Sequence, residues 1–390
     1  MRQALLNNLE WFEKSGVMLP ADGLWGVAER LALVRGNSAI ERMKLAFAAW
    51  TDHGDYCIME QRRADCNFEA AYLFLRASSV LQERKYYDIG VRILDFLYFR
   101  SGLLERGGRP HIFGSWNWSH IKRTSDVWFD DESWCVFLQL AIAEEYPELE
   151  ARYDLRKWAL ALGCELLSAA SGILLRRRNF AQGTPWRTDG WLGNLDKPHW
   201  GALTMMALAK CHAVGNDAAF LSFVEKYHEY LQEGAENWNV SEQSYALLGE
   251  ISAYSSTGDS RYLEAARKFG SLIAGKMDAA GNIPAEHDEA PVGPHLVDTI
   301  YTVNWALLGM QRLAEACPEF QPAFQKLLAL ILRIQDKSPE AHFHGCWRGM
   351  YDLQTNSWGG GDCYEGGAGS IYTGWTNAPI AIVIARELAK

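Results

Sequence analysis

Three consecutive acids, Asp130, Asp131 and Glu132, lie between aromatic residues in segment 128–134. Neighbouring carboxylates repel one another, and aromatic surroundings remove the water that would stabilise their charges, so this environment favours keeping one of them protonated. A protonated carboxyl beside an ionised one is the arrangement that general acid–base catalysis needs. We therefore expect catalytic groups here, with Asp130 and Asp131 as the candidates.

Other polar residues stand where a long loop gives way to a helical pattern. They are Asp65, Glu242 and Asp298, together with His199 beside Trp200. A carboxylate at a helix start can simply accept hydrogen bonds from the free backbone N–H groups and complement the helix dipole. For any single one of these acids, capping and chemistry explain its position equally well.

The chain contains 16 Trp, 16 Tyr and 16 Phe, and many of them fall in loops between helical segments. Flat aromatic faces suit sugar rings, although a loop aromatic can equally anchor its loop. An arginine beside a tryptophan adds a two-pronged donor for carboxylates. The candidate binding residues are Trp116, Trp118, His120, Trp128, Trp186, Arg187, Trp191, His344, Trp347, Arg348 and Trp375, with His199 and Trp200 at a helix start.

Helical periodicity dominates, and sustained strand-type alternation is scarce. Uniformly apolar segments alternate with amphipathic ones across short turns, which is typical of hairpins with one buried and one outer helix. Hairpins are expected near 24–50, 66–100, 132–170, 200–232, 242–276 and 299–335, with further helices near 2–14 and 375–389. Long loops between the hairpins favour a closed double ring over an open solenoid. We expect an all-α fold, an (α/α)6 barrel, formed by a single domain over residues 1–390.

Composition excludes several classes of partner. With 38 Lys and Arg against 48 Asp and Glu, the net charge is -10, which argues against nucleic acid. No apolar run approaches the roughly 20 residues of a membrane span, and the first residues lack signal-peptide features, so we expect a cytoplasmic protein without a membrane partner. The 8 cysteines form no C-x-x-C pair and are expected to be mostly buried free thiols. His342 and His344 lack a nearby third ligand, so neither a metal nor an organic cofactor is expected.

The order of these features resembles the unsaturated uronyl hydrolases, glycoside hydrolase families 88 and 105, which are six-hairpin barrels. The resemblance rests on Asp65 followed by Asn67 at an early inner helix, a Gly-Gly loop, and Trp128 with Asp130 at the next inner helix. The family's Trp-Gly-Arg element is present only as Trp200–Gly201 before Ala202.

The resemblance implies hydration of the double bond of a 4,5-unsaturated uronic acid, after which the neighbouring sugar is expelled. Asp130 would be the general acid and water activator, and Asp131 is its rival for that role. Asp65 would hold the substrate or share the proton, with Asn67 among the binding residues. Because the family's arginine is missing, Arg187 or Arg348 would bind the carboxylate. The implied partner is an oligosaccharide containing a uronic acid, and the protein would be a monomer or homodimer.

Three alternatives stay open. A glycosidase acting on saturated β-glucuronides could use the same barrel with two carboxylates. Sugar epimerases of the acylglucosamine 2-epimerase type share this barrel but rely on histidines of inner helices, for which His199 and His212 are the candidates, so this alternative ranks third. A carbohydrate-binding barrel without activity would keep the aromatic loops but would not need clustered acids.

Overall fold

The computed structural model describes residues 1–46, 49–121, 126–176, 187–286, 293–360 and 364–390. Helices make up most of these residues. The α-helices are α1 (Arg2–Lys14), α2 (Ser38–Ala46), α3 (Ala64–Leu81), α4 (Arg84–Asp95), α5 (Phe129–Glu145), α6 (Pro147–Tyr153), α7 (Leu155–Arg176), α8 (Pro198–Gly215), α9 (Ala219–Gly234), α10 (Val240–Thr257), α11 (Ser260–Lys276), α12 (Val303–Ala316), α13 (Gln321–Ile334) and α14 (Ala378–Leu388).

Short strands connect the helices. They are β1 (Arg30–Ala32), β2 (Trp50–Asp52), β3 (Cys57–Met59), β4 (Val127–Trp128), β5 (Arg187–Thr188), β6 (Trp191–Leu192), β7 (Leu296–Asp298), β8 (Met350–Asp352), β9 (Ser357–Trp358) and β10 (Ser370–Tyr372). They form small sheets in the orders β10-β1-β3-β2, β4-β6-β5 and β7-β8-β9.

Burial separates the helices into two kinds, as their sequences predict. Every residue of α5 from Phe129 to Ala143 is buried, which is typical of a helix that is surrounded by protein. By contrast, α4 buries a single face of residues spaced three and four apart. That face consists of Tyr86, Ile89, Gly90, Ile93 and Leu94. The hydrophobic pattern therefore predicts correctly that α5 is enclosed and that α4 is buried on one face only.

The chain divides into two compact units. Unit 1 contains residues 1–101, 239–241 and 273–390, and unit 2 contains residues 102–238 and 242–272. Each is described by itself below. The single-domain organisation stays a prediction.

In unit 1, α3 packs against α4 and α14, and α12 packs against α13 and α14. The prediction of a helical hairpin at 24–50 is wrong, because this segment forms one helix, α2, and its first half contains β1, which pairs with β10 on one side and β3 on the other. Gly26 has a φ of +66°, and a Cβ there would overlap Asn67 and Phe96, so the chain bends where a helix was expected.

The remaining helix pair of unit 1 comes from the two ends of the chain. Helix α1 packs against α14. The Asn8 side chain donates from Nδ2 to Oδ1 of Asn377 and to the carbonyl oxygen of Gly345, each at 3.0 Å. Residues far apart in sequence thus supply the pair that segment 24–50 does not.

In unit 2, α5 packs against α7 and α8, and α8 also packs against α9. Ser133 of α5 donates a buried hydrogen bond of 3.2 Å to the Thr204 hydroxyl of α8. Gly201 lets α9 come close to α8, because a Cβ at this position would overlap the Tyr227 ring. These contacts fix the first turns of α5 and α8 side by side.

The described cysteines are free thiols, and all of them except Cys164 are buried. The expectation of buried free thiols is therefore confirmed for these positions apart from Cys164, whereas Cys363 lies outside the described residues. None of the described helices has both the length and the apolar character needed to cross a bilayer.

Candidate active site

The three consecutive acids occupy the first turn of α5. Trp128, in an extended conformation, holds the capping position, and the helix begins at Phe129. None of the three acids is therefore the capping residue, although the free N–H groups of this turn favour negative charge. Capping does not explain why this turn carries Asp130, Asp131 and Glu132.

Glu132 has a structural task. Its two carboxylate oxygens each lie 3.0 Å from the backbone nitrogen of Trp116, which donates to them. The side chain is buried. Glu132 thus links the loop containing Trp116 to α5. Of the three acids, it is the one that is not needed as a catalytic group.

Asp130 has one oxygen bound and one oxygen open. Its Oδ2 lies 3.0 Å from Nε2 of His199, while Oδ1 is buried and meets no hydrogen-bond partner in the described structure. The residue is only 6% exposed. A buried carboxylate oxygen without a donor is costly, so such an atom is usually satisfied by water or a ligand. Asp130 therefore has the environment of a reacting group.

His199 is held on several sides. Its ring stacks on Trp200 and on Tyr245, with centroids 4.6 Å apart in both cases. Its backbone N–H donates to Glu242 of α10 over 2.8 Å. The imidazole is thereby fixed with Nε2 toward Asp130. A fixed imidazole can donate to a carboxylate or exchange a proton with it.

Asp131 follows Asp130 and is also buried, at 8% exposed. The structure therefore places two carboxyl groups in one helical turn that is largely closed to water. Among the described residues, no three His, Cys, Asp or Glu side chains are grouped so as to hold a metal ion. The site's chemistry can be carried by carboxyl groups and an imidazole.

The predicted aromatic residues of unit 2 fall into two sets. Trp118, His120, Trp128 and Trp200 are partly exposed, so each can offer part of a ring to a ligand. Trp116 and Trp191 are each 1% exposed.

Trp191 lies in β6, stacks on Phe129 at 5.0 Å and donates from its indole to the His111 carbonyl at 3.3 Å. Trp191 is thus a core residue that packs against the first residue of α5. Arg187 is exposed and pairs with Asp126 at 2.8 Å. Trp186 lies outside the described residues.

Asp65, the expected partner of Asp130 in catalysis, lies in unit 1 and is buried. Arg63 donates to both of its oxygens, at 3.2 and 2.7 Å, and the Trp375 indole donates to Oδ2 at 2.5 Å. These contacts make Asp65 an anchor for Arg63 and Trp375.

Trp375 itself adopts a left-handed backbone conformation, with φ of 49°. Its backbone N–H donates to Glu69 at 2.8 Å, and its ring meets Trp305 edge to face at 5.2 Å. A bulky residue with positive φ stores strain and stays so only where its surroundings hold it. Asp65 and Glu69 provide that hold.

Asn67 and Trp347 serve the fold rather than a ligand in this structure. The Asn67 amide accepts from the Val27 N–H at 2.8 Å and donates to the Val27 carbonyl at 3.1 Å. Trp347 is fully buried, and its indole donates to the Ile331 carbonyl at 2.9 Å.

Two further predicted binding residues of unit 1 have partners within the fold. Arg348 pairs with Asp336 at 2.7 Å. The half-buried His344 lies 3.0 Å from the Ser338 carbonyl through Nδ1. Asp298, one of the acids expected at helix starts, accepts from the backbone of Ile300 at 2.9 Å. It therefore stabilises the turn before α12, whose N-cap is Thr302.

Sequence reasoning placed His199 and Glu242 at helix starts but did not predict their contacts. It did not identify Tyr245, which completes the stack on His199. The available signal was the recurrence of polar residues where long loops end. That signal identifies the residues at the loop ends of the helices. It does not identify which of these residues contact one another.

No protein-family model and no curated protein matches the chain. Solved structures do. A glycoside hydrolase family 76 α-1,6-mannanase from Salegentibacter sp. aligns with a TM-score of 0.61 at 11% identity over 100% of this chain and 99% of that chain. Cellobiose 2-epimerase from Bacillus thermoamylovorans aligns with a TM-score of 0.60 at 10% identity over 84% of this chain and 88% of that chain.

A D-mannose isomerase aligns with a TM-score of 0.59 at 9% identity over 99% of this chain and 96% of that chain. A further structure of the mannanase, an inactive variant with asparagine in place of two consecutive aspartates, holds α-1,6-mannotriose and aligns with a TM-score of 0.56 at 10% identity over 100% of this chain and 99% of that chain. The narrower resemblance to families 88 and 105 stays a prediction. At such identities the likeness shows the fold alone, and it confirms the expected all-α class and the (α/α)6 barrel of the six-hairpin enzymes.

Proposed function

We propose that the protein is a glycoside hydrolase that acts on oligosaccharides through Asp130 and Asp131. The observation that carries the proposal is the buried Asp130 carboxylate, with Oδ2 on His199 and Oδ1 without a partner in the described structure. Hydrolysis of a glycosidic bond needs one carboxyl group to protonate the leaving oxygen and another to act on the anomeric carbon, directly or through water. Two adjacent buried acids supply both groups.

Within the pair, we assign the role of nucleophile or base to Asp130 and the acid role to Asp131. His199 Nε2 lies against Oδ2 of Asp130 and leaves Oδ1 open, so this carboxyl group is fixed with one oxygen available for reaction. Its open Oδ1 then attacks the anomeric carbon or activates the water that does so, while Asp131 transfers its proton to the glycosidic oxygen as the bond to carbon breaks. After direct attack, water cleaves the glycosyl–Asp130 ester and returns a proton to Asp131. When water attacks directly, its proton passes to Asp130. This reverses the roles that the sequence resemblance implies for these two residues.

The likeness to the mannanase gives independent support. In that enzyme, replacing two consecutive aspartates gives an inactive variant that still holds its oligosaccharide. The present chain has consecutive aspartates in the first turn of a helix whose residues 129–143 are buried. The general class, a glycosidase with a neighbouring carboxyl pair, therefore has more support than any particular substrate.

Specificity for an unsaturated uronic acid rests on the motif resemblance. It requires a cation for the substrate carboxylate, and both arginines expected for that task have acidic partners, Asp126 for Arg187 and Asp336 for Arg348. Unsaturated uronyl oligosaccharides are thus one substrate class to test, beside saturated β-glucuronides and α-1,6-mannooligosaccharides.

A sugar epimerase is the second candidate, favoured by one observation. His199 lies on α8 and contacts Asp130 at 3.0 Å, and an imidazole beside a carboxylate can move a proton to and from a sugar carbon. The other inner-helix candidate, His212, lies near the opposite end of α8, where its Nδ1 is 3.0 Å from the Asp217 carbonyl. Among the described residues, His199 is the one histidine in contact with Asp130, which gives this candidate less support than the hydrolase.

The test is a substrate panel assayed with the full chain and matched variants. Unsaturated disaccharides are followed by loss of ultraviolet absorbance, saturated oligosaccharides by release of reducing ends, and cellobiose and mannose by formation of the epimer or ketose. Asp130→Asn and Asp131→Asn should each lower turnover about 10³-fold while oligosaccharide binding persists. Glu144→Gln, at the far end of the same helix and paired with Lys210, is the control and should retain full turnover.

Full activity of Asp130→Asn would refute the assignment. Turnover of cellobiose or mannose without any hydrolysis would establish the epimerase instead.

A further inference from the structure

Unit 1 contains a surface cavity that shares no residue with the Asp130 site. Its volume is about 470 Å³, which is within the range of small-ligand pockets. The walls come from the segment that joins β1 to α2, from Gly360 and residues 366–369 before β10, and from Arg348 and Trp358.

Two arginines line this cavity in different states. Arg348 is mostly buried and holds Asp336 through Nε and Nη2, each at 2.7 Å, while its guanidinium stacks on Phe343 at 4.0 Å. Its charge is therefore balanced and its position fixed. Arg35 is exposed, and no acidic partner for it occurs among the described residues. Among the described residues, the charge of Arg35 is therefore not balanced by an acid, which favours a ligand with one negative group.

Backbone N–H groups at the cavity also favour an anionic ligand. The first turn of α2 lines the cavity with Ser38 and Ala39, whose N–H groups meet no acceptor in the part of the chain that is described. Asn37 stabilises this turn, because its Oδ1 accepts from Ile40 at 3.2 Å and its Nδ2 donates to the Gly366 carbonyl at 2.8 Å. Free N–H groups at a helix start favour an anion.

Trp358 supplies an apolar surface. Its ring is partly exposed and meets Tyr351 edge to face at 5.1 Å, which fixes its orientation. A flat ring beside hydrogen-bond donors suits a sugar, whose ring faces are apolar and whose edges are polar. A free inorganic anion has no apolar face that could pack against the Trp358 ring.

We propose that this cavity binds a sugar that carries one anionic group, a carboxylate or a phosphate, with Arg35 and the first turn of α2 on the anion and Trp358 on the ring. The proposal does not depend on the hydrolase function. Its residues are separate from Asp130, His199 and their neighbours, so each idea can fail without the other.

The experiment measures binding to the full-length protein by titration calorimetry and by saturation-transfer NMR. The probes are glucuronate, glucose 6-phosphate, inorganic phosphate and glucose. We expect glucuronate or glucose 6-phosphate to bind about tenfold more tightly than glucose, which corresponds to one added charge-assisted contact. The stronger of the two probes shows whether a carboxylate or a phosphate is preferred.

Variants assign the binding to the cavity. Arg35→Gln should weaken the anionic sugar about tenfold and leave glucose unchanged, and Trp358→Ala should weaken both. Arg2→Gln, an exposed arginine at the start of α1, is the matched control. Asp130→Asn should leave this binding intact, which separates it from binding at the proposed catalytic site.

Three results would overturn the proposal. They are equal affinity for glucose and the anionic sugars, equal affinity for inorganic phosphate and glucose 6-phosphate, and binding that Arg35→Gln leaves untouched. Absence of binding by every probe at millimolar concentration would overturn it as well.

Discussion

Nε2 of His199 lies 3.0 Å from Oδ2 of Asp130, although 69 residues separate the two in sequence. The contact joins the first turns of α5 and α8. It leaves the second oxygen of Asp130 as the open one, so the imidazole both orients the carboxylate and selects which of its oxygens can react. His199 is therefore a positioning residue for the proposed hydrolysis.

His199→Gln should lower kcat about 10²-fold and change KM little, because it disturbs the orientation and charge of Asp130 rather than the binding surface. Steady-state kinetics on the best substrate of the panel provide the measurement. His212→Gln, on the same helix but away from Asp130, should leave kcat unchanged. An equal loss in both variants would mean that helix α8 has been disturbed and that the contact with Asp130 is not the cause.

Asp65→Asn should destabilise the protein by about 3 kcal/mol, because the buried Arg63 loses its closest counter-charge. Turnover per folded molecule should remain within a few-fold of wild type. Chemical denaturation and kinetics on the same samples give both quantities. Asp88→Asn, which breaks the exposed pair with Arg84, should cost less than about 1 kcal/mol. A stable Asp65→Asn variant without activity would restore Asp65 to the catalytic set.

Gly201→Ala should destabilise the protein by about 1–3 kcal/mol, as an added methyl group in a filled space does, because the new Cβ overlaps the Tyr227 ring. Glycine to alanine within a helix otherwise stabilises by up to about 1 kcal/mol. Gly275→Ala is the matched control, since nothing lies near its Cβ position. Thermal melting of the two variants should therefore shift in opposite directions. A higher melting temperature for Gly201→Ala would contradict the close packing of α8 against α9.

Glu250 makes stability depend on pH. Burial raises its pKa from 4.5 to about 7, while His228 and Gln232, its hydrogen-bond partners, act in the opposite direction. Between these two values the folded protein holds a proton that the unfolded chain releases, so the free energy of unfolding should fall as pH rises through that window. Glu250→Gln, which resembles the protonated acid, should be similar to wild type near pH 5 and more stable near pH 8.

Urea unfolding at both pH values measures this effect, and the exposed Glu229→Gln on α9 is the control. An unchanged pH dependence in Glu250→Gln would assign the effect to another group.

The helices were predictable because the local spacing of apolar residues determines which of their faces are buried. The uniform apolar character of α5 and the one-sided pattern of α4 need no distant information. Segment 24–50 was misread because its apolar residues pack as a strand between partners from residues 57–59 and 370–372, which local pattern does not reveal. Strands this short have too few residues for alternation to be recognised.

The site was predictable only in part, for a related reason. The acids of α5 stand out in sequence, whereas their partners come from other helices. Trp347 and Trp358 show a second difficulty, since both stand close to glycines in the sequence, yet one is fully buried and the other is partly exposed. A tryptophan ring favours packing against another surface, but the residue type does not determine whether that surface belongs to the protein or to a ligand.

The pairing of α1 with α14 has a consequence for biosynthesis. During translation α1 leaves the ribosome well before Asn377, the partner of Asn8, which follows 369 residues later. Because domains generally fold from the N-terminus as they are made, α1 has to wait for α14. Closure over so long a stretch of chain is a late step. Helix α1 is therefore open to chaperones and proteases on its α14 side until α14 has been made.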